Sequence, residues 1–546
     1  MLTARGGTYQ EVYDAFQWRL PARYNIASDV CDRHAADPSK IALIHERADG
    51  ALQTYTFRDI QRAANQFANA LQHFGLKMGD RVVLFLGQHP ATGIAHVGCW
   101  KAGMVSAPTS TLFGADALEY RINMTGARAL VTDRANYPKV VEIRKRAPTL
   151  EQVLLIDGAE PGSEPFWETL ERASDAFETL SLTPDTPAFI NFTSGTTGWP
   201  KGALQGHRSM LGHMPGLEFL MDFLPQPGDV LWSPADWAWL AGLMDILMPG
   251  WFHGLPVLTY RSSTFDAEKA LQMMGKHRVR ATLLTPTMLK LIRQVREPKR
   301  RFAIDLRVVL SGSEAVGHDL HEEMGSTLGC PINEGFGQTE ANCIIGNSSL
   351  VMPIRYGSLG RSLPGHIAGI VDDEGTPLPP GSVGNLALKR PDPVMLLEYW
   401  RDPDATRTKF AGDWMITGDL AESDDEGYLW FRGRKDDVIT SSGYRIGPTE
   451  IEDAIVRHPK VALAAVIGAP DPERTEIIKA FVVLASGCGP TQELADEIRA
   501  SVRDRLARHE YPREIEFVAS LPMTATGKIL RRELREREVA KRSKLR

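Results

Sequence analysis

The stretch FTSGTTGWPKG, residues 192–202, places three threonine hydroxyls, one serine hydroxyl, two glycines and one lysine ahead of its closing glycine. It contains no carboxylate. Hydroxyls, backbone N–H groups and an ammonium in one turn suit an anion with many oxygens, and a polyphosphate fits best. The spacing is not that of the Walker loop, because Gly195 to Lys201 is wrongly spaced and Gly202, rather than Ser or Thr, follows the lysine. A nucleotide held here therefore calls for a different fold. Two further stretches place polar groups where ligands gather. Ser311-Gly312-Ser313-Glu314 follows the apolar run ending at Leu310, and Asn333-Glu-Gly-Phe-Gly-Gln-Thr-Glu340 follows a short Cys-Pro-Ile.

Short apolar runs must position these groups. Residues 187–191 precede the hydroxyl-rich loop, and 81–86, 129–133, 153–157, 281–285 and 306–310 have the same character. Residues 57–76 carry apolar side chains at helical spacing, and Gly79-Asp80 turns the chain into the next run. This alternation predicts α/β domains with mostly buried sheets, and ligands at the C-terminal ends of strands. Residues 237–260, the most apolar segment, carry Asp245, His253, prolines and glycines, which predicts a buried helix plus strand rather than a membrane span. The charged stretch 433–437 separates about a hundred C-terminal residues that suffice for a small α/β domain. Its helices are expected at 449–458 and 492–509, and its strands at 462–467, 479–484 and 514–518. The Arg- and Lys-rich tail 528–546 reads as a solvated helix.

The bulk properties limit the classes. A chain of 546 residues needs two or three domains. Hydrophobic content of 43% and charged content of 24% are those of a soluble globular protein. A net charge of −6 argues against nucleic acid as a partner. The five cysteines are dispersed and form no CxxC, which excludes a disulfide framework or zinc site and fits a cytoplasmic location. The N-terminus has no apolar targeting core.

Taken in order, FTSGTTGWPKG, EGFGQTE, the long run from Trp414 through SSGYRIGPTEIE, and TATGKILRREL from Thr524 resemble the signature series of the adenylate-forming superfamily. That superfamily includes AMP-forming acyl-CoA synthetases, peptide-synthetase adenylation domains and beetle luciferases. The resemblance covers nearly the whole chain, and the wording is most similar to medium-chain acyl-CoA synthetases. It implies a large N-terminal domain, residues 1–434, and a small mobile C-terminal domain, residues 435–546. It also implies two half-reactions: a carboxylate attacks the α-phosphate of ATP to give acyl-AMP and pyrophosphate, then the thiol of coenzyme A displaces AMP.

Roles carry over by position. Thr193, Ser194, Gly195, Thr196, Thr197, Gly198 and Lys201 match the loop around the β- and γ-phosphates, where donors neutralise the leaving pyrophosphate. Thr339 and Glu340 match the α-phosphate and Mg²⁺ contacts; a hard cation needs oxygen ligands, and Glu340 supplies one. Gly312, Ser313 and Glu314 match one side of the adenine site, and Glu334, Gly335 and Phe336 the other. Asp419 and Arg434 match ribose contacts, an acceptor-only carboxylate suiting a diol. Asp436 matches the hinge. Ser442, Gly443, Tyr444 and Arg445 match the loop lining the pantetheine tunnel, and Arg503, Arg505, Arg508 and Arg513 could add cations for the coenzyme A phosphates. Lys528 matches the lysine of the first half-reaction, a mobile point charge between carboxylate and α-phosphate.

The acyl group is the least determined part. In acetyl-CoA synthetases a tryptophan precedes the Gln of EGFGQTE; here that position is Gly337. The missing indole implies room for a longer, branched or aromatic acid, and Gly337→Trp is expected to favour acetate or propionate. Trp239 is expected as a pocket wall and His207 at the pocket mouth. No cation is placed to meet a second carboxylate, so a monocarboxylic acid is expected. Because the sequence ends at Arg546 without a carrier domain, coenzyme A is the expected acceptor. An adenylation enzyme that loads a carrier protein and a nucleotide-binding protein without turnover remain as alternatives, and homodimerisation is left open.

Overall fold

The structure, a computed structural model, describes every residue except 194–199, 262–264, 314–315, 438, 442–443, 472–473, 486, 507–510, 524–528 and 544–546. For Thr440, Tyr444, Arg445, Thr449, Glu450, Asp504 and Ser543 it describes the backbone alone. Contacts divide the chain into two compact units. The first comprises Met1–Thr193, Lys201–Ala368 and Leu388–Asp413; the second comprises Ser194–Pro200, Gly369–Ala387 and Trp414–Arg546.

The first unit holds two sheets with parallel cores. One runs in the order Glu398–Tyr399, Gly202–Gly206, Pro187–Phe192, Val105–Pro108, Arg81–Leu84, Ala129–Thr132, Gln152–Leu155, Glu164–Pro165. Its pairs are parallel from Pro187–Phe192 onward and antiparallel at the Gly202–Gly206 edge. In the other, Ile332–Gln338, Val308–Gly312, Ala281–Leu283, Leu231–Trp232, Val257–Tyr260 and Ile41–Glu46 are successive parallel neighbours. Ala341–Gly346 then folds back antiparallel on Ile332–Gln338. Central strands such as Ala129–Thr132 are buried at every position, which is why they read as continuous apolar runs. Helix Phe57–His73 starts from a Thr56–Asp59 capping box. It packs on the fully buried helix Pro90–Lys101 at Gly98, where a Cβ would lie 2.8 Å from the Ala64 carbonyl oxygen.

Two segments differ from expectation. Residues 237–260 form not one helix but Leu240–Gly242, a π-helical turn Leu243–Leu247, then Met248–Phe252, before strand Val257–Tyr260. Among the described residues no helix is long and apolar enough to cross a membrane. EGFGQTE is not a loop at a strand end: it continues strand Ile332–Gln338 and turns at Thr339–Glu340, with Gln338 paired to Ala341.

In the second unit, strands Ala368–Val371, Gly384–Lys389, Trp414–Ser423 and Leu429–Arg434 are successive neighbours. A further sheet orders Tyr444–Ile446, Ile439–Ser441, Thr475–Leu484 and Val461–Asp471, with Glu514–Phe517 parallel to Thr475–Leu484. Helices Pro448–Val456 and Gln492–Arg505 bury Ile451, Ile455, Ile498 and Val502 in its core. The boundary expected between residues 434 and 435 falls inside this unit, between strand Leu429–Arg434 and the turn Lys435–Asp437. The basic tail is a helix, Arg531–Ser543, but not wholly solvated: Leu534 and Glu538 are buried, and Glu538 accepts from the buried Lys479 at 2.7 Å.

Candidate active site

The first unit brings several expected groups together where the hairpin tip of one sheet meets the edge of the other. Strands Pro187–Phe192 and Gly202–Gly206 form an antiparallel pair ending at Phe192 opposite Gly202. Beyond it, Thr193 N donates to Lys201 O at 2.9 Å and Lys201 N to Thr193 Oγ1 at 3.3 Å. These bonds close the neck of the hydroxyl-rich loop. Ser194, Gly195, Thr196, Thr197 and Gly198 lie outside the described residues.

The turn Thr339–Glu340 is held against this neck through its backbone. Gln205 Nε2 donates to Thr339 O at 2.9 Å, and Leu396 N to Glu340 O at 2.8 Å. Tyr399 pairs with Ala203 at the sheet edge. Its hydroxyl donates to Glu340 Oε1, while Lys201 Nζ lies 5.2 Å from the centre of its ring. Lys409 Nζ donates to Gln338 Oε1 at 2.7 Å and stands 3.7 Å from Glu340 Oε1. Thr193, Lys201, Thr339 and Glu340 therefore converge, with Tyr399, Lys409, Gln205 and Gln338 as supports that the sequence reading missed. Nothing in the spacing marks a tyrosine 59 residues after Glu340 as its partner; only strand order does.

The donor set suits magnesium. Among the described residues no three His, Cys, Asp or Glu side chains cluster as metal ligands. Glu340 thus offers a single carboxylate next to a loop neck suited to phosphates, and Mg²⁺ characteristically takes one or two carboxylates and completes its shell with phosphate oxygens and water.

The expected adenine segments lie on adjacent parallel strands, with Ser311 opposite Glu334 and Gly312 opposite Gly335. A Cβ on Gly312 would come within 2.6 Å of the Gly335 carbonyl oxygen, so this register requires glycine. Ser313 adopts φ +75°, a conformation uncommon for a side-chain-bearing residue, as the strand leaves the sheet. Glu314 lies outside the described residues. Glu334 is buried; its Oε2 accepts from Val316 N at 3.0 Å, and among the described residues Oε1 has no partner. Burial pushes its pKa up to about 7, against the Val316 bond. Phe336 is half-buried, opposite Ile345.

Two expectations about the acyl pocket need correction. Gly337 is not simply an emptied site: the ladder shifts register between Phe336 and Gln338, and a Cβ at 337 would fall 2.3 Å from Cys343 N. The backbone of Asn342–Cys343 occupies the space a side chain would need. His207 is in the core rather than at a pocket mouth. It is fully buried, its Nδ1 accepts from Ile26 N at 3.1 Å, and burial lowers its pKa to about 3. Trp239 is half-buried, edge-on to Phe113 at 5.9 Å, and precedes the helical run that leads to Asp245.

In the second unit Asp419 and Arg434 are cross-strand partners, joined Nη1 to Oδ1 at 3.2 Å. Asp436 is exposed in the turn Lys435–Asp437. Its carbonyl accepts from Arg535 Nη1 at 3.0 Å, and Asp437 binds both Arg531 and Arg535. Ser441 pairs with Tyr444, and Thr440 with Arg445. Ser442, Gly443 and Lys528 lie outside the described residues.

The sequence pattern of AMP-binding enzymes matches residues 31–400, and that of the AMP-binding enzyme C-terminal domain matches residues 450–528. An uncharacterized acyl-CoA ligase, YtcI, of Bacillus subtilis (strain 168) is 32% identical over 522 residues, covering 95% of this chain and 97% of its own. Mouse (Mus musculus) acyl-coenzyme A synthetase ACSM5, mitochondrial, is 34% identical over 537 residues, 95% of this chain and 91% of its own. Among solved structures, the anthranilate CoA ligase AuaEII in complex with anthranoyl-AMP superposes with a TM-score of 0.88 at 28% identity, covering 96% of this chain and 99% of that one.

Proposed function

Because the chain belongs to the AMP-binding enzymes and is an AMP-forming acyl-CoA synthetase, we propose that it activates a medium-chain, branched or aromatic monocarboxylic acid in preference to acetate. ATP and coenzyme A are the co-substrates of such a ligase. The similar structure of an anthranilate CoA ligase in complex with anthranoyl-AMP supports the aromatic part of that acid class.

The observation that carries the assignment of roles is the convergence of Lys201, Thr339 and Glu340 through Gln205 and Tyr399. Lys201 and the loop hydroxyls bind the β- and γ-phosphates and stabilise the charge that develops on leaving pyrophosphate. Thr339 orients the α-phosphate, and Glu340 holds a Mg²⁺ that would neutralise phosphate charge. Glu334, Gly335, Phe336, Gly312, Ser313 and Glu314 frame the adenine; Asp419 and Arg434 take the ribose. Lys528 bridges the attacking carboxylate and the α-phosphate, and Ser442, Gly443, Tyr444 and Arg445 line the path of pantetheine. Asp436 is the hinge between residues 1–434 and 435–546. It is exposed, while its neighbour Asp437 is clamped by Arg531 and Arg535, which gives the turn one anchored side. Five free cysteines, none paired, fit a cytoplasmic setting.

The test is ATP–pyrophosphate exchange over a panel of acids, followed by AMP release with and without coenzyme A. Exchange strongest with a medium-chain or aromatic acid, and AMP release that depends on coenzyme A, are expected; acetate as the best substrate would overturn the acid class. Lys528→Ala should reduce acyl-AMP formation by at least about a hundredfold and leave thioester formation from supplied acyl-AMP largely intact. Equal loss of both steps would contradict its role.

A further inference from the structure

Tyr399 and Lys409 reach Glu340 from one short piece of chain. Strand Glu398–Tyr399 leads to Asp402, whose Oδ1 accepts from Ala405 N at 2.9 Å and opens helix Pro403–Thr408. Thr406 Oγ1 accepts from Tyr399 N at 2.9 Å, which ties the helix back to the strand. Lys409 ends the helix, its N–H donating to Ala405 O at 3.1 Å and Thr406 O at 3.3 Å. The cation within the helix, Arg407, faces solvent with its side chain 76% exposed and pairs with Asp404. Lys409 turns inward: its side chain is 12% exposed and that of Glu340 10%.

The 2.7 Å hydrogen bond from Lys409 Nζ to Gln338 Oε1 needs a donor but no charge. A neutral amide would serve there, whereas a largely buried ammonium costs desolvation. The charge is matched by Glu340 Oε1 at 3.7 Å, too far for a hydrogen bond but close enough for a strong Coulomb interaction. Tyr399 donates to that same oxygen, so the tyrosine orients the carboxylate and the lysine balances its charge. The turn Thr339–Glu340 is joined to the neck of the hydroxyl-rich loop through Gln205 and Tyr399. A bare carboxylate beside that loop would repel the triphosphate of ATP whenever metal is absent; a carboxylate with an ammonium beside it does not. We propose that Lys409 is a positioning residue whose charge stands in for part of the Mg²⁺ charge at Glu340, so that this chain binds ATP even without metal. This deepens, and rests on, the proposed ligase function.

The test is calorimetric titration of the full chain with ATP, without acid or coenzyme A, once in saturating Mg²⁺ and once in EDTA. The ratio of the two dissociation constants, metal-free over metal-loaded, measures the coupling between metal and nucleotide. Wild type is expected to bind ATP measurably in EDTA. Lys409→Gln, which keeps a donor for Gln338, and Lys409→Met should each raise the ratio by about tenfold or more, the loss falling on the metal-free titration. Lys409→Arg keeps the charge and should hold the ratio near that of wild type. A merely structural lysine would weaken both titrations alike, so an unchanged or smaller ratio in the neutral variants overturns the proposal. So does a ratio raised as much by Lys409→Arg as by Lys409→Gln. ATP binding in Mg²⁺ reports that a variant is folded; should the neutral variants fail to fold, wild type decides alone, since Mg²⁺-dependent binding with none detectable in EDTA overturns the proposal. Wild type that binds ATP in neither condition would instead refute the ligase reading on which it rests.

Discussion

Glu340 reaches its place because two groups from later in the chain hold it: the Tyr399 hydroxyl on Oε1 and the Lys409 ammonium 3.7 Å away. A hydrogen bond to an ionised group contributes about 1.5–3 kcal/mol. Tyr399→Phe should therefore slow acyl-AMP formation by about tenfold or more and raise the Mg²⁺ concentration needed for half-maximal exchange, with thioester formation from supplied acyl-AMP little changed. Measuring both half-reactions across a Mg²⁺ titration checks this; equal damage to both would mean a merely structural tyrosine. Glu334 carries a different signature. Burial raises its folded pKa to about 7 from an ordinary value of 4.5. The folded state then binds more protons than the unfolded one between those values, so stability falls as pH rises through that window and levels off above it. The full effect is about 3 kcal/mol. Urea midpoints of the nucleotide-free protein should decline from pH 5 to 7 in wild type and less steeply in Glu334→Gln.

The hairpin Ile332–Gln338 with Ala341–Gly346 is the element on which the site turns. Its register shift at Gly337 and the left-handed Cys343 (φ +52°) bring its two legs too close for a side chain at 337. Gly337→Ala should then destabilise the fold by about 1–3 kcal/mol and lower exchange with all acids alike. Gly337→Trp should do the same more severely, rather than producing the clean switch towards acetate that the missing indole suggested. Circular dichroism melts alongside acid-panel kinetics separate these outcomes; an intact protein with improved acetate use would contradict the hairpin argument. Sequence periodicity located helix Phe57–His73 and the buried parallel strands closely, because burial on both faces leaves a plain apolar run. It failed on EGFGQTE, where glycines and polar side chains disguise a strand whose pairing in the sheet overrides propensity.

Across the molecule, each unit has its own core, so each is expected to have its own stability. In the second unit Arg531 binds Glu452 through Nε at 2.9 Å and Nη2 at 2.5 Å, and Asp437 at 3.3 Å. Glu452 is buried and also accepts from Val466 N. Arg531→Met strands that carboxylate and should cost about 3–5 kcal/mol. Differential scanning calorimetry should show one transition moving down and the transition of the first unit staying put. An unchanged thermogram would mean that the Arg531 network contributes nothing to the second unit.

The sequence alone determined the chemistry on offer: a carboxylate-free hydroxyl loop with one lysine, a Thr-Glu pair, and an ordered set of motifs, all local patterns that survive without a fold. It also determined the α/β class, since buried parallel strands and amphipathic helices leave distinct periodicities. Only the tertiary structure decided which side chains support that chemistry. Tyr399 and Lys409 meet Glu340, and Asp245 meets Asn342 and Cys343, because sheet order and a hairpin bulge bring together residues separated by 59 to 98 positions. No local pattern encodes such pairings. They arise from strand order and from the exclusion of water around groups that must then find partners within the protein.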